Sequence, residues 1–142
     1  MNLYVLDASV IVKWLIPENP NEHNVSEALA LLSALQNGTI TVQQPCHWLA
    51  EIAAVGVRLK PDTIADDIAD LQELGIVSVT EIQPLWDIAC SLSIRLNHHL
   101  FDTLYHAVAL HSGALLITAD EQYFRKAKDI GNITLLADYR PV

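Results

Sequence analysis

Leu3-Tyr4-Val5-Leu6-Asp7-Ala8-Ser9 is the stretch whose reading decides the fold. Apolar and aromatic residues in unbroken succession predict a short strand buried on both faces. An aspartate stands at its carboxyl end, then Ser9, a good helix N-cap, and an apolar-rich helical stretch over 10–16. Ligands of open parallel sheets bind beyond the carboxyl ends of the strands. Asp7 is therefore placed where chemistry is done, or else it simply caps the next helix. On this stretch alone the two readings balance, and the remainder of the chain has to separate them.

Outward from that strand, helical and extended signals alternate. A turn-rich loop fills 17–24, and Asn24 with Glu27 resembles a capping pair for a helix through Leu35, closed by Asn37-Gly38. A β-branched alternation predicts a strand over 39–42, after which Pro45 opens a helix to about Lys60, stopped by Pro61. Asp62 caps the next helix, which runs through Leu74, and a strand covers 76–79. Helices follow over 84–96 and 101–112, a strongly apolar strand over 114–118, a helix over 120–128 and a last strand over 133–136. Strands alternating with helices across short connections predict an α/β fold. The expected arrangement is a central parallel sheet of about five strands with helices on both faces, as one domain over residues 1–142.

The bulk numbers agree. A chain of 142 residues that is 51% hydrophobic has ample material for a covered sheet. No apolar run reaches membrane-spanning length, and no basic leader with an apolar core opens the chain, so a cytoplasmic location is expected. Cys46 and Cys90 fit neither a metal-binding spacing nor a disulfide scaffold. A net charge of −9 argues against a general nucleic-acid coat and favours basic partners or cations. The small basic cluster Arg125, Lys126 and Lys128 reads as a solvated helix face.

Under this architecture Asp7 and Asp120 share one kind of position, at or just past a strand's carboxyl end. Glu51 lies in the apolar stretch Trp48-Leu49-Ala50-Glu51-Ile52-Ala53-Ala54-Val55, where a buried carboxylate needs a partner or a cation. Asp102 opens a helix and by itself reads as dipole complementarity. Should all four meet, like charges roughly 5 Å apart repel by about 3 kcal/mol at an effective dielectric near 20. Such a group requires protons or a counter-cation. An all-carboxylate site suits Mg²⁺ or Mn²⁺, and the chemistry that follows is phosphodiester hydrolysis by a metal-activated water. Ser9 and Thr118 would position the carboxylates by hydrogen bonding.

These segments also resemble a known family. Val5-Leu6-Asp7-Ala8-Ser9-Val10 with Lys13-Trp14, Pro45 followed by Glu51, Phe101-Asp102 with Tyr105, Ala107 and Ala109, and Leu116-Ile117-Thr118-Ala119-Asp120 look like the PIN-domain pattern, most of all its VapC-type toxin branch. The resemblance spans nearly the whole chain. It implies a PIN-like α/β domain with one or two Mg²⁺ or Mn²⁺ ions held by Asp7, Glu51, Asp102 and Asp120. It further implies endonucleolytic cleavage of RNA, a homodimer, and inhibition by a small antitoxin that places a basic segment in the acidic pocket. The chain departs from the pattern at Ala54, where the family often has asparagine, and at Gly56, an odd residue inside a helix. His106 occupies a usually apolar position one turn after Asp102; it could join the site, although an interface or rim position is expected.

Other signals carry less. His98-His99 lacks any supporting zinc-ligand spacing and reads as a loop. No Gly-x-Ser-x-Gly elbow surrounds Ser9, and no glycine-rich phosphate loop is present. Trp14, Trp48 and Trp86 could stack on bases, but core packing is the expectation for at least two. Two alternatives to the nuclease stay open: a catalytically silent PIN-like module binding a basic partner through its acidic pocket, and a phosphatase with Asp7 as nucleophile.

Overall fold

The computed structural model describes residues 2–141. Strand β1 (Asn2–Leu6) leads directly into helix α1 (Ala8–Leu15). Helix α2 (Val25–Gln36), strand β2 (Ile40–Pro45), helices α3 (Trp48–Leu59) and α4 (Ile64–Gln72), and strand β3 (Val77–Val79) follow. Helices α5 (Gln83–Leu96) and α6 (Leu100–Ser112), strand β4 (Leu115–Thr118), helix α7 (Glu121–Ala127) and strand β5 (Ile133–Leu135) complete the fold, with short 3₁₀ turns at Lys128–Ile130 and Leu136–Asp138.

The strands form one parallel sheet in the order β3-β2-β1-β4-β5. Tyr4, Val5 and Leu6 are consecutive and all buried. Because successive side chains point to opposite faces, both faces of the central strand are covered. Helix α6 packs against β1, β2 and β4, and its run Thr103, Leu104, Tyr105, His106, Ala107, Val108 and Ala109 is buried throughout. A helix buried all round belongs in the interior, with α5 lying outside it. After β1 the chain moves to β2 and β3 on one side, then crosses back to β4 on the other. The carboxyl ends of β1 and β4 thus flank the point where strand order reverses, the place where such sheets open a crevice.

One contact shapes that crevice. The β1–β2 ladder runs only through Tyr4↔Val42. Beyond it, the fully buried side-chain amide of Gln44 takes the ladder's place: Leu6 N–H donates to Oε1 at 2.8 Å, and Nε2 donates to the Leu6 carbonyl at 2.7 Å. Strand β2 then pairs with β3 through Gln43, Gln44 and Pro45, separating from β1 just before Asp7.

Several boundaries differ from the sequence expectation. Pro45 ends strand β2 instead of opening a helix, and α3 begins three residues later at Trp48. Asn24 sits in the left-handed region (φ 57°) and makes no side-chain cap bond. Thr63, not Asp62, precedes α4. Trp14 and Trp48 are buried as expected, their indole N–H groups donating to the Ala28 carbonyl and to Ser78 Oγ.

Gly56 is explained by helix contact. A Cβ built there would stand 1.9 Å from Ile64 Cδ1 on α4 and 3.2 Å from Ile64 Cβ. Alanine would add about 1 kcal/mol of helix propensity, but the overpacking penalty of ~1–3 kcal/mol opposes it. Gly56→Ala is expected to lower the thermal midpoint, and a rise in that midpoint would show that α3 and α4 do not meet so closely.

Candidate active site

Asp7 and Asp120 each sit at the sheet's carboxyl edge and each also caps a helix. Asp7 N–H extends the β1–β4 ladder by donating to the Ile117 carbonyl at 3.0 Å. Its Oδ2 accepts from the backbone N–H of Ser9 at 3.1 Å and from the Ser9 hydroxyl. That hydroxyl in turn accepts from Ala119 N–H at 3.1 Å, so Ser9 ties the end of β1 to the end of β4. Asp120 Oδ1 accepts from Tyr123 N–H, and Asp120 N–H donates to Thr118 Oγ1, each at 3.0 Å. The capping and positioning roles of Asp7 and Ser9 therefore coexist.

Glu51 comes from the first turn of α3 and Asp102 from the first turn of α6. Each has a histidine one helical turn ahead of it. His47 Nε2 lies 2.7 Å from Glu51 Oε1 and donates to the Phe101 carbonyl at 3.1 Å. His98 Nε2 lies 2.8 Å from Asp102 Oδ2. Nitrogen or carboxylate atoms of His98, Asp102 and Asp120, one from each, all lie within 4.8 Å of one another.

Electrostatics joins the four acids into one group. Burial pushes the Asp7 carboxyl up to about 6 against its Ser9 hydrogen bonds, and the charges of Asp102 and Glu51 push the same way. Asp102 is raised chiefly by burial and further by Glu51 and Asp120, while His98 holds it down. Two tyrosines register the same field. Tyr105 is raised by burial and then by Glu51, Asp7 and Asp102, and Tyr123 by burial and then by Asp102 and Asp7. The charges of acids after β1, in α3, in α6 and at the β4–α7 junction thus reach one another, while the side chains close enough to share one ion are His98, Asp102 and Asp120, without Asp7 or Glu51.

This group fits a divalent cation by its own chemistry. Its donors are mainly carboxylate oxygens, which suit Mg²⁺ or Mn²⁺. Glu51 Oε1 is met by His47 Nε2 at 2.7 Å, and the buried Tyr105 hydroxyl lies in the field of the same carboxylate. Burial first, and the neighbouring acids second, raise the Asp7 and Asp102 carboxyls, as expected where buried carboxylates lack a counter-charge.

His106 is neither a site residue nor a rim residue. It is fully buried: Nε2–H donates to the Gly131 carbonyl at 2.8 Å, and Nδ1 accepts from the Tyr123 hydroxyl at 2.8 Å. Burial pushes its imidazole below the usual histidine range, so it bridges α6, α7 and the turn before β5 as a neutral ring. Ala54 is exposed. The sequence reading passed over His47 and set His98 aside with the His98-His99 pair, yet both sit four residues before an acid. That i,i+4 spacing was the available signal. The sequence reading used Phe101 only as part of the family pattern and gave it no role, yet this residue is 61% exposed beside His47, with ring centroids 5.3 Å apart. The exposed aromatic next to the acids is this phenylalanine, not either buried tryptophan.

Among the described residues no helix is long and apolar enough to cross a membrane. No curated protein matches the sequence. Solved structures of similar fold include PAE2754 from Pyrobaculum aerophilum, with a TM-score of 0.60, 17% identity and coverage of 96% of this chain and 92% of that one. FitAcB from Neisseria gonorrhoeae matches with a TM-score of 0.60 and 17% identity over 93% of this chain and 95% of the other. FitAB bound to an IR36 DNA fragment matches with a TM-score of 0.62 and 18% identity over 97% and 98%. The PIN domain family model covers residues 4–129, and with the parallel sheet and edge acids already described, the chain belongs to the PIN domain family.

Proposed function

We propose that this protein is a divalent-metal-dependent endoribonuclease, the toxin of a VapBC-type pair, using Mg²⁺ or Mn²⁺ held by Asp7, Glu51, Asp102 and Asp120. The observation that carries this reading is the electrostatic coupling of four acids from separate elements at the edge where β1 and β4 part. A divalent ion bound there supplies Lewis acidity toward the phosphoryl oxygens and an activated water for in-line attack. The chain's own residues do the positioning. Ser9 and Thr118 fix the backbone and carboxylate of the two strand-end aspartates, and His47 and His98 orient Glu51 and Asp102 from one turn away. Phe101 offers an exposed ring at the same mouth for a nucleobase.

The same pocket suits a small antitoxin with a basic segment, since a guanidinium or ammonium would relieve the repulsion that the ion relieves. A homodimer in the cytoplasm completes the proposal. Incubating purified protein with single-stranded RNA, with and without Mn²⁺, tests the activity: cleavage in Mn²⁺ that stops on adding EDTA is expected. Intact RNA in both conditions, with DNA equally intact, would leave the silent basic-partner module as the better account.

A further inference from the structure

Beside the acids lies an open cleft of about 670 Å³ between the turn that joins α5 to α6 and the exposed side of α7. Asn97, in the left-handed conformation (φ 50°), ends α5 and turns the chain so that His98 and His99 face this space. Gln122 and Lys126 of α7 form the opposite wall. No carboxylate lines the cleft, although the chain has 17 acidic residues against 8 basic ones.

Lys126 is not the solvated side chain that its sequence neighbours suggest. Arg125 and Lys128 are exposed, whereas Lys126 is half-buried, donating to the Asn97 carbonyl at 3.0 Å and standing 3.3 Å from His98 Nδ1. An ammonium only donates, so His98 Nδ1 accepts and His98 Nε2 carries the proton that it gives to Asp102. One imidazole therefore links the cleft's cation to a candidate metal ligand. Lys13 and Lys60 spend their charges on Glu22 and Asp67. Lys126 makes no ion pair among the described residues, and both of its partners are neutral.

We propose that this cleft is a phosphate subsite for the nucleotide flanking the bond to be cut, with Lys126 as its cation and His99 and Gln122 as further donors. The assignment rests on the nuclease reading for its link to cleavage, but its binding chemistry stands apart from that reading. An anionic backbone has nowhere to rest on a carboxylate cluster. It needs a donor-lined track leading to the cluster, and this cleft shares His98 with it.

The test measures binding of a labelled single-stranded oligoribonucleotide by wild type, Lys126→Met, Lys126→Arg and His99→Ala, in EDTA and in Ca²⁺, over a range of salt. Cleavage kinetics in Mn²⁺ and a thermal melt of each variant accompany it. Lys126→Met should weaken binding and reduce the salt slope by about 0.7, the loss of one phosphate contact on a single strand. KM should rise by more than kcat falls, because the variant loses a phosphate contact and also the donor that fixes His98 against Asp102. Lys126→Arg should restore most of the affinity, and the exposed His99→Ala should weaken binding without lowering the melting point. Wild-type affinity, salt slope and KM in both Lys126→Met and His99→Ala would overturn the subsite, as would the absence of any RNA binding by wild type. A wild type that binds RNA through Lys126 yet never cuts it would sink the nuclease reading and leave the subsite standing. Normal cleavage with no dependence on Lys126 or His99 would do the reverse.

Discussion

Asp7→Asn is expected to abolish metal-dependent cleavage while making the metal-free protein more stable at pH 7. The loss should exceed about 100-fold, the upper range seen when even an outer-shell partner of a metal ligand is removed. The gain follows from protonation. Burial, together with Asp102 and Glu51, raises the Asp7 carboxyl from its ordinary 3.8 to about 6. Between those two values the folded state holds a proton that the unfolded chain has released, so Asp7 makes stability fall as pH rises through this window. Above about pH 6 the whole cost is present. Asparagine carries no charge and still offers an oxygen to the Ser9 N–H. The variant should therefore melt above wild type at pH 7 in EDTA, with the difference shrinking toward pH 4. Retained Mn²⁺-dependent cleavage would remove Asp7 from the site, and a variant that melts below wild type at pH 7 would show that its carboxylate is not crowded.

Gln44→Leu should cause a large loss of stability. The side-chain amide of Gln44 satisfies both the N–H and the carbonyl of Leu6, at 2.8 and 2.7 Å, in a fully buried setting. Leucine fills much of the volume but makes neither bond. An unsatisfied buried backbone group costs about 1–3 kcal/mol, so two of them imply a loss of ~2–6 kcal/mol. At roughly 2–8 °C per kcal/mol for domains of 60–250 residues, the thermal midpoint should drop by many degrees. Leu6 immediately precedes Asp7, so surviving folded protein should also bind divalent ions more weakly. A midpoint within error of wild type would mean that β2 pairs with β1 further along than Val42, and that Gln44 does not hold the crevice open.

These two residues mark how far the sequence could be read. Asp7 was legible because a strand followed by a cap signal places it at the sheet edge by strand direction alone. The order of strands and helices was legible for a similar reason: apolar runs and turn residues act locally. Gln44 was not legible, since its role depends on a backbone 38 residues away. The same contact accounts for the misplacement of Pro45. Proline normally interrupts a sheet, but with the β1 side of β2 already served by an amide side chain, Pro45 can end the strand against β3 alone. His106 was expected at an interface or rim, and its full burial could not be read locally. Its partners, Tyr123 and Gly131, lie 17 and 25 residues further on. His47 and His98 were readable from their spacing to Glu51 and Asp102, but a histidine gains meaning only once its acid is known to face a site. Gly56 needed α4 laid against it before its missing side chain made sense.

The claim on which the account depends is that four acids meet in one crevice to hold a doubly charged ion. Calorimetric titration of Mn²⁺ into metal-free protein tests it most directly, with wild type compared against Asp7→Asn, Glu51→Gln, Asp102→Asn and Asp120→Asn. Saturable binding by wild type, weakened at least about 10-fold in each variant, is the predicted result. No binding by wild type, or wild-type affinity in all four variants, would contradict it.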